Sequence, residues 1–416
     1  VIAVDKKGPL TGTAAAQVGA RCYREKKFAE AADAFLLAST EHKDQATRQT
    51  ALYQRALCFE KLKKDDELAA ALEAVVSDKS SPYRERARQA LAHLQRRSGQ
   101  AESALSHFHI LMESPDAKVR SDAILTGALL TRELKRPVDE TAALFLRILE
   151  TPELKKWHGE SQLYLMDFAT RKKDSGQVKL LFERGRFPLP PDKAARRLLL
   201  AIRAYEALDT KADTTALYRE LAEKAPDKKT VFEASFVLLS RAFPASDPKA
   251  FVEEVRRFLK SHDQQSYADS RLDSARLMLA ETEYTAGHFG PAAEAYQAIK
   301  LESLDPTNHA GIRFHLASAL RKAGREQAAN EALADFLEHH PSDPRVPPAL
   351  ARRADRAIAR EDYDAALADL ERVLELTQTP SLIEYTWVRK ASVFKEKKDL
   401  PALKAAHEFL LATFPD

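Results

Sequence analysis

Leu279 to Leu304 reads LAETEYTAGHFGPAAEAYQAIKLESL and contains one complete helix-turn-helix unit. Leu279, Ala280 and Tyr284 recur at helical spacing, Gly287 breaks the pattern, and Ala292, Ala293, Tyr296 and Ile299 resume it. Small residues stand where two helices must approach closely, and aromatic residues fill the wedge beside them. Both predicted helices are amphipathic, so the unit cannot bury its apolar faces alone. It needs neighbours of the same kind.

Those neighbours are present. Aligning on the residue early in the second helix gives Ala31, Leu68, Ala104, Ala142, Val178, Ala216, Glu254, Ala292, Ala329, Ala366 and Leu403. The differences between these numbers run from 36 to 38, which predicts about eleven helical hairpins with a period near 37. Glu254 is polar at an otherwise apolar position, so the register of the middle units is open by about one helical position. With 416 residues the chain exceeds what one hydrophobic core supports, and a one-dimensional stack of hairpins meets that limit. Its 12 glycines, 20 prolines and 31% charged residues favour long helices. No sustained alternation of apolar and polar β-branched residues supplies a sheet. The expected fold class is therefore all-α, an α-solenoid in which residues 1–152 carry repeats one to four, 153–262 the divergent repeats five to seven, and 263–416 repeats eight to eleven. One continuous solenoid is expected, with a domain boundary near Pro188 as the alternative.

The strong units have clear punctuation. Gly19 lets the first pair approach, Tyr23 and Phe28 flank the turn at Lys26-Lys27, and Ala31, Phe35 and Ala38 make the second helix's stripe. Ala56, Phe59, Leu68, Leu72 and Val75 repeat the outline; Leu91, Ala92, Ala104, Phe108 and Leu111 do so again. Units four to seven drift: Pro137 interrupts the fourth, GRFPLPPD (Gly185 to Asp192) follows the fifth, and FPASDP (Phe243 to Pro248) lengthens the turn of the seventh. No polar capping helix follows the last unit, which suggests a fragment of a longer protein or a missing tail.

Charge and cysteine content exclude some functions. Lysine and arginine number 65 against 62 acids, a net +3, without the basic footprint of a nucleic-acid binder. Only Lys155 to Lys229 is basic, with 17 positive and 11 negative residues, and a solvated face is the plain reading. The longest uncharged stretch, Gly8 to Ala20, is too short to span a bilayer. Cys22 and Cys58 lie at nearly equivalent positions of adjacent first helices, where two buried free thiols are expected rather than a disulfide.

At this point the residues resemble the tetratricopeptide repeat (TPR) superfamily over essentially the whole chain. Ala280, Tyr284, Gly287, Phe289, Ala292 and Tyr296 in the eighth unit fall on its offsets, as do Trp387, Ala391 and Pro415 in the eleventh. Gly19, Phe28, Ala31, Phe35 and Ala38 do so in the first. The resemblance implies a right-handed superhelix whose first helices line a concave face. The period exceeds the family's unit of 34 by about three residues, which implies longer helices or connections. The endings FLEHHP (Phe336 to Pro341) and FLLATFP (Phe409 to Pro415) resemble those of bacterial envelope proteins of this class. They favour the periplasm or cell envelope, with the cytoplasm as the alternative.

Catalytic motifs are absent. No phosphate-cradling glycine loop, HExxH or GxSxG occurs, and no cofactor or metal site is expected. His107 and His109 point to different faces of one helix, and His339-His340 sit at a helix end facing its dipole. Asp65-Asp66, Lys63-Lys64 and Lys397-Lys398 are read as solvated inter-helix turns. By family offsets, Glu281, Tyr284, Phe314, Ser318, Arg321, Asp355 and Tyr385 project onto the concave face, where Tyr284 and Phe314 serve either as anchors or as core. The family's carboxylate clamp needs first-helix asparagines, and the expected places are before a helix for Asn308 and on a second helix for Asn330, so the clamp is not expected. The expected function is a non-catalytic scaffold for a protein or peptide partner. The alternatives are a substrate-guiding arm of a larger envelope enzyme and nucleic-acid binding through the basic middle.

Overall fold

The computed structural model describes residues 11–262 and 270–414, and these contain 22 α-helices, two short 3-10 turns and no strand. Pro415 lies outside the described residues. The first helices of the hairpins are α1 (Thr11–Arg24), α3 (Gln45–Leu62), α5 (Arg84–Arg97), α7 (Ala117–Glu133), α9 (His158–Arg171), α11 (Pro191–Leu208), α13 (Lys228–Ala242), α15 (Ser270–Thr285), α17 (Pro306–Lys322), α19 (Val346–Ala359) and α21 (Pro380–Glu396). The second helices are α2 (Phe28–Glu41), α4 (Asp65–Ser77), α6 (Ala101–Leu111), α8 (Val138–Glu150), α10 (Ser175–Glu183), α12 (Thr215–Lys224), α14 (Pro248–His262), α16 (Phe289–Gln297), α18 (Glu326–His339), α20 (Tyr363–Leu376) and α22 (Leu400–Thr413). The expected all-α architecture is present, and the long period has its cause in first helices of up to 18 residues.

Two compact units form, one of Val1–Leu217 with Lys224–Pro226, the other of Tyr218–Glu223 with Asp227–Asp416. Within the first, α1 packs on α2, α3 on α4, and so on through α9 and α10, while each second helix also packs on the next first helix. Consecutive first helices touch at α1 and α3, α5 and α7, and α9 and α11. The second unit repeats this order from α13 with α14 to α21 with α22, and again α13 meets α15 and α19 meets α21. Each unit is thus a two-layer stack of hairpins.

The fourth residue of the second helix is where the layers close. Ala31, Leu68, Ala104, Val178, Ala292, Ala329, Ala366 and Leu403 all hold that place, and all but the last are buried. The drifting units depart from it. Ala216 is the second residue of α12 and Glu254 the seventh of α14, and both are exposed. In α14 the buried fourth residue is Phe251. That helix opens at Pro248, which is favoured in a first turn, so the anchor falls three residues before the periodic position.

Nine of the turns between paired helices share one backbone device. Lys26, Lys63, Gly99, Lys135, Lys173, Gly287, Gly324, Glu361 and Lys398 all have φ between 54° and 83°. In each, the N–H of the following residue donates to a carbonyl five residues back, such as Lys64 to Phe59, Gln100 to Gln95 and His288 to Glu283. A left-handed residue after the last helical turn satisfies carbonyls that the helix leaves orphaned. The lysine pairs are therefore helix stops rather than merely solvated turns. Asp65 and Asp66, read as turn residues, instead open α4, where carboxylates face the positive end of the helix dipole. Pro137 stands between the paired helices of the fourth unit, at the N-cap of α8, and Asn308, expected before a helix, is instead the third residue of the first helix α17.

Close packing follows from these turns. A Cβ on Gly19 would lie 2.7 Å from the Phe35 ring, so this glycine sets the approach of α1 and α2. Phe35, Phe108, Phe232 and Phe336 are almost fully buried, and burial of such a ring stabilises by about 1.5–3 kcal/mol. Cys22 and Cys58 are both buried free thiols, and burial pushes Cys58 up to about 11. No helix among the described residues is long and apolar enough to cross a membrane.

Candidate functional site

All seven candidate residues fall on first helices of the second unit: Glu281 and Tyr284 on α15, Phe314, Ser318 and Arg321 on α17, Asp355 on α19, and Tyr385 on α21. Residues 33 to 35 apart on successive first helices come into register, and polar side chains join them there. Glu281 Oε1 accepts from the Tyr296 hydroxyl at 2.7 Å and lies 3.0 Å from His315 Nδ1. Burial pushes the Glu281 carboxyl up, but the hydrogen bonds from His315 and Tyr296 outweigh it and leave the group below its ordinary range. Burial together with that carboxylate drives the Tyr296 phenol upward.

The Tyr284 ring stacks on His315 with centroids 5.4 Å apart, and its hydroxyl lies 2.8 Å from Ser318 Oγ. Lys322 places its ammonium 4.7 Å over the same ring. Burial raises the Tyr284 phenol, yet Ser318 and Lys322 bring it below its usual value. Ser318 is buried, so its hydroxyl supports Tyr284 rather than projecting to solvent. Phe314 is half-buried with its edge against Phe336 at 5.4 Å, and the Arg345 and Arg352 guanidinium groups lie 5.7 and 5.6 Å from its ring centre. Tyr284 and Phe314 are each core on one side and platform on the other.

Asp355 is held from α21. The Tyr385 hydroxyl donates to its Oδ2, and Arg389 Nε lies 2.9 Å from its Oδ1. The Arg389 N–H is aligned on the Tyr385 oxygen at 3.2 Å, so Oδ1 has an ion-pair neighbour but no aligned donor. Arg321, Ser318 and Asp355 meet at a crevice of about 360 Å³ bounded by α17, α18 and α19. Its other polar walls are Glu326, Asn330, Arg352 and Arg356.

The site therefore gathers Glu281, Tyr284 and Ser318 into one network and Ser318, Arg321 and Asp355 around one crevice. Phe314 and Tyr385 orient members of that crevice. His315, Arg352 and Arg356 escaped the sequence reading, and Tyr296 entered it only as part of the repeat pattern. His315 carries a usable signal, since it stands 34 residues after Glu281 on the next first helix. Among the described residues no group of three or more His, Cys, Asp or Glu side chains could hold a metal ion.

The first unit has similar rungs between its first helices. Gln89 Nε2 and His93 Nε2 lie 2.6 and 2.8 Å from Asp122 Oδ2, and Lys193 reaches Glu160 at 2.6 Å.

Two-layer hairpins with a buried residue four positions into most second helices and a left-handed stop in nine of the turns between paired helices define the architecture. The fold is a TPR-like helical repeat. No protein-family profile matches the chain, and no curated protein matches it in sequence. Among solved structures, the chain is similar to BtubC (BKLC) from P. vanneervenii at 20% identity, over 50% of this chain and 88% of that one, with a TM-score of 0.34. It is also similar to the TPR domain of P58(IPK), at 18% identity over 93% and 99% with a TM-score of 0.26. A tetratricopeptide repeat protein from Parabacteroides merdae matches at 11% identity over 82% and 98%, with a TM-score of 0.24.

Proposed function

We propose that the chain is a non-catalytic scaffold that binds a protein or peptide partner along the first-helix face of α15, α17, α19 and α21. One observation carries this reading: aromatic and charged side chains on these rigid helices are already fixed by neighbours about 34 residues away, around an open crevice. Preorganised side chains on rigid elements lose little entropy when a partner docks. Tyr284, stacked and hydrogen-bonded but only half-covered, is the rigid anchor expected of such a surface.

The test is capture of partners by the wild-type chain against Tyr284→Ala and Arg321→Glu variants, each checked for unchanged helicity and melting. Loss of the same partners in both supports the assignment. Unchanged capture of every partner would remove this face from consideration.

A further inference from the structure

We propose that the crevice between α17, α18 and α19 receives a carboxylate side chain of an acidic peptide segment. This rests on the partner-face reading above and gives that face its ligand chemistry. Three arginines line the crevice: Arg321, Arg352 and Arg356. Other arginines nearby are satisfied. Arg313 pairs with Asp335, Arg345 with Asp343, Arg353 with Asp369 through two bonds of 2.7 and 2.6 Å, and Arg389 with Asp355. By contrast, none of Arg321, Arg352 and Arg356 has a carboxylate within 4.0 Å among the described residues. Guanidinium groups recognise carboxylates through two parallel N–H donors.

The remaining walls narrow the ligand. Asp355 is taken up by Arg389 and Tyr385, so Glu326 is the one lining acid without such a partner. That leaves three positive groups against one negative, a net excess of two positive charges that favours an anionic ligand. Asn330 adds an amide on the wall opposite α19, and Ala317, Ala329 and Leu333 form an apolar floor that suits the methylenes of a glutamate. Arg352 is steadied by its position over the Phe314 ring. At about 360 Å³ the crevice is at the small end of ligand sites, with room for one acidic side chain and its adjoining peptide link.

The test is fluorescence anisotropy of an acetylated, amidated hexaglutamate peptide with the full chain, with hexaglutamine as control. Saturable binding that weakens with added salt is expected. Arg352→Gln and Arg356→Gln should each weaken it about tenfold, as expected for loss of a charged hydrogen bond. Glu326→Gln, an exposed change that leaves folding intact, should tighten it about twofold by removing the opposing charge. Equal binding of hexaglutamine, or affinity unchanged in the doubly substituted Arg352→Gln and Arg356→Gln chain, would overturn the proposal. So would competition by free glutarate as strong as by the peptide, which would place a small acid there instead. The titration uses no cellular partner. Its failure beside intact Tyr284-dependent capture would retire the acidic ligand and leave the partner face standing.

Discussion

Replacing the left-handed lysines with glycine should stabilise the first unit. Lys63 has φ 56° and ψ 37°, a conformation in which a side chain's Cβ crowds the next carbonyl at a cost of about 1–2 kcal/mol. Glycine removes that cost but carries about 0.5–1 kcal/mol more backbone entropy in the unfolded chain. The net gain is about 0.5–1 kcal/mol for each position. Lys26, Lys135 and Lys173 occupy the same conformation at other turns of this unit. Among the described residues none of the four ammonium groups has a hydrogen-bonded or ion-paired partner, so little is lost with the side chain. Distant sites without shared partners add, and the quadruple variant should gain about 2–4 kcal/mol. Urea unfolding followed by helical circular dichroism reads this as a higher midpoint with the slope unchanged. Lys64→Gly is the control, because Lys64 has φ −99° and gains nothing from glycine. A fall in midpoint for Lys63→Gly and Lys135→Gly would refute the claim that these residues act as helix stops.

Three further outcomes follow from particular contacts. Gly19→Ala should destabilise by about 1–3 kcal/mol through overpacking against Phe35, whereas Gly290→Ala meets open space and should gain up to about 1 kcal/mol; thermal melts of the two variants check the contrast. Glu281 has a folded pKa below its unfolded value, so its contribution is present above about pH 4.3 and disappears as pH falls through the folded pKa. Glu281→Gln should therefore be less stable than wild type at pH 7, with the gap closing on acidification in pH-dependent melts. Cys58, buried with its thiol pushed up to about 11, should resist iodoacetamide at pH 8 until urea unfolds the chain, as mass spectrometry would show.

The repeat was legible because its signal is local. A small or branched residue four positions into a helix recurs wherever the same hairpin is built, as at Ala31, Ala104 and Ala366. Register was lost where punctuation changed. At Glu254 the 38-residue spacing overrode a local start signal: Asp247-Pro248, the end of FPASDP, opens α14 early and passes the anchor to Phe251. The lysine stops were hidden for a different reason, since Lys63 and Lys135 look like solvated charge and only the backbone shows them left-handed. Family offsets put Glu281, Tyr284 and Asp355 on first helices, where the structure also has them. The unpaired state of Arg352 and Arg356 could not be read this way, because it depends on which acids neighbouring hairpins bring within reach. Arg353, adjacent in sequence to Arg352, found Asp369 on α20 instead.

The most direct test of the account is site-specific photo-crosslinking with a benzophenone side chain. It would be placed at Arg321 and Arg352 on the first-helix face of the second unit, and at Leu376 on a second helix, all three exposed. The account predicts that one set of partners crosslinks from positions 321 and 352 and is displaced by hexaglutamate, while position 376 captures none of them. Crosslinks from position 376 with none from 321 or 352 would contradict it.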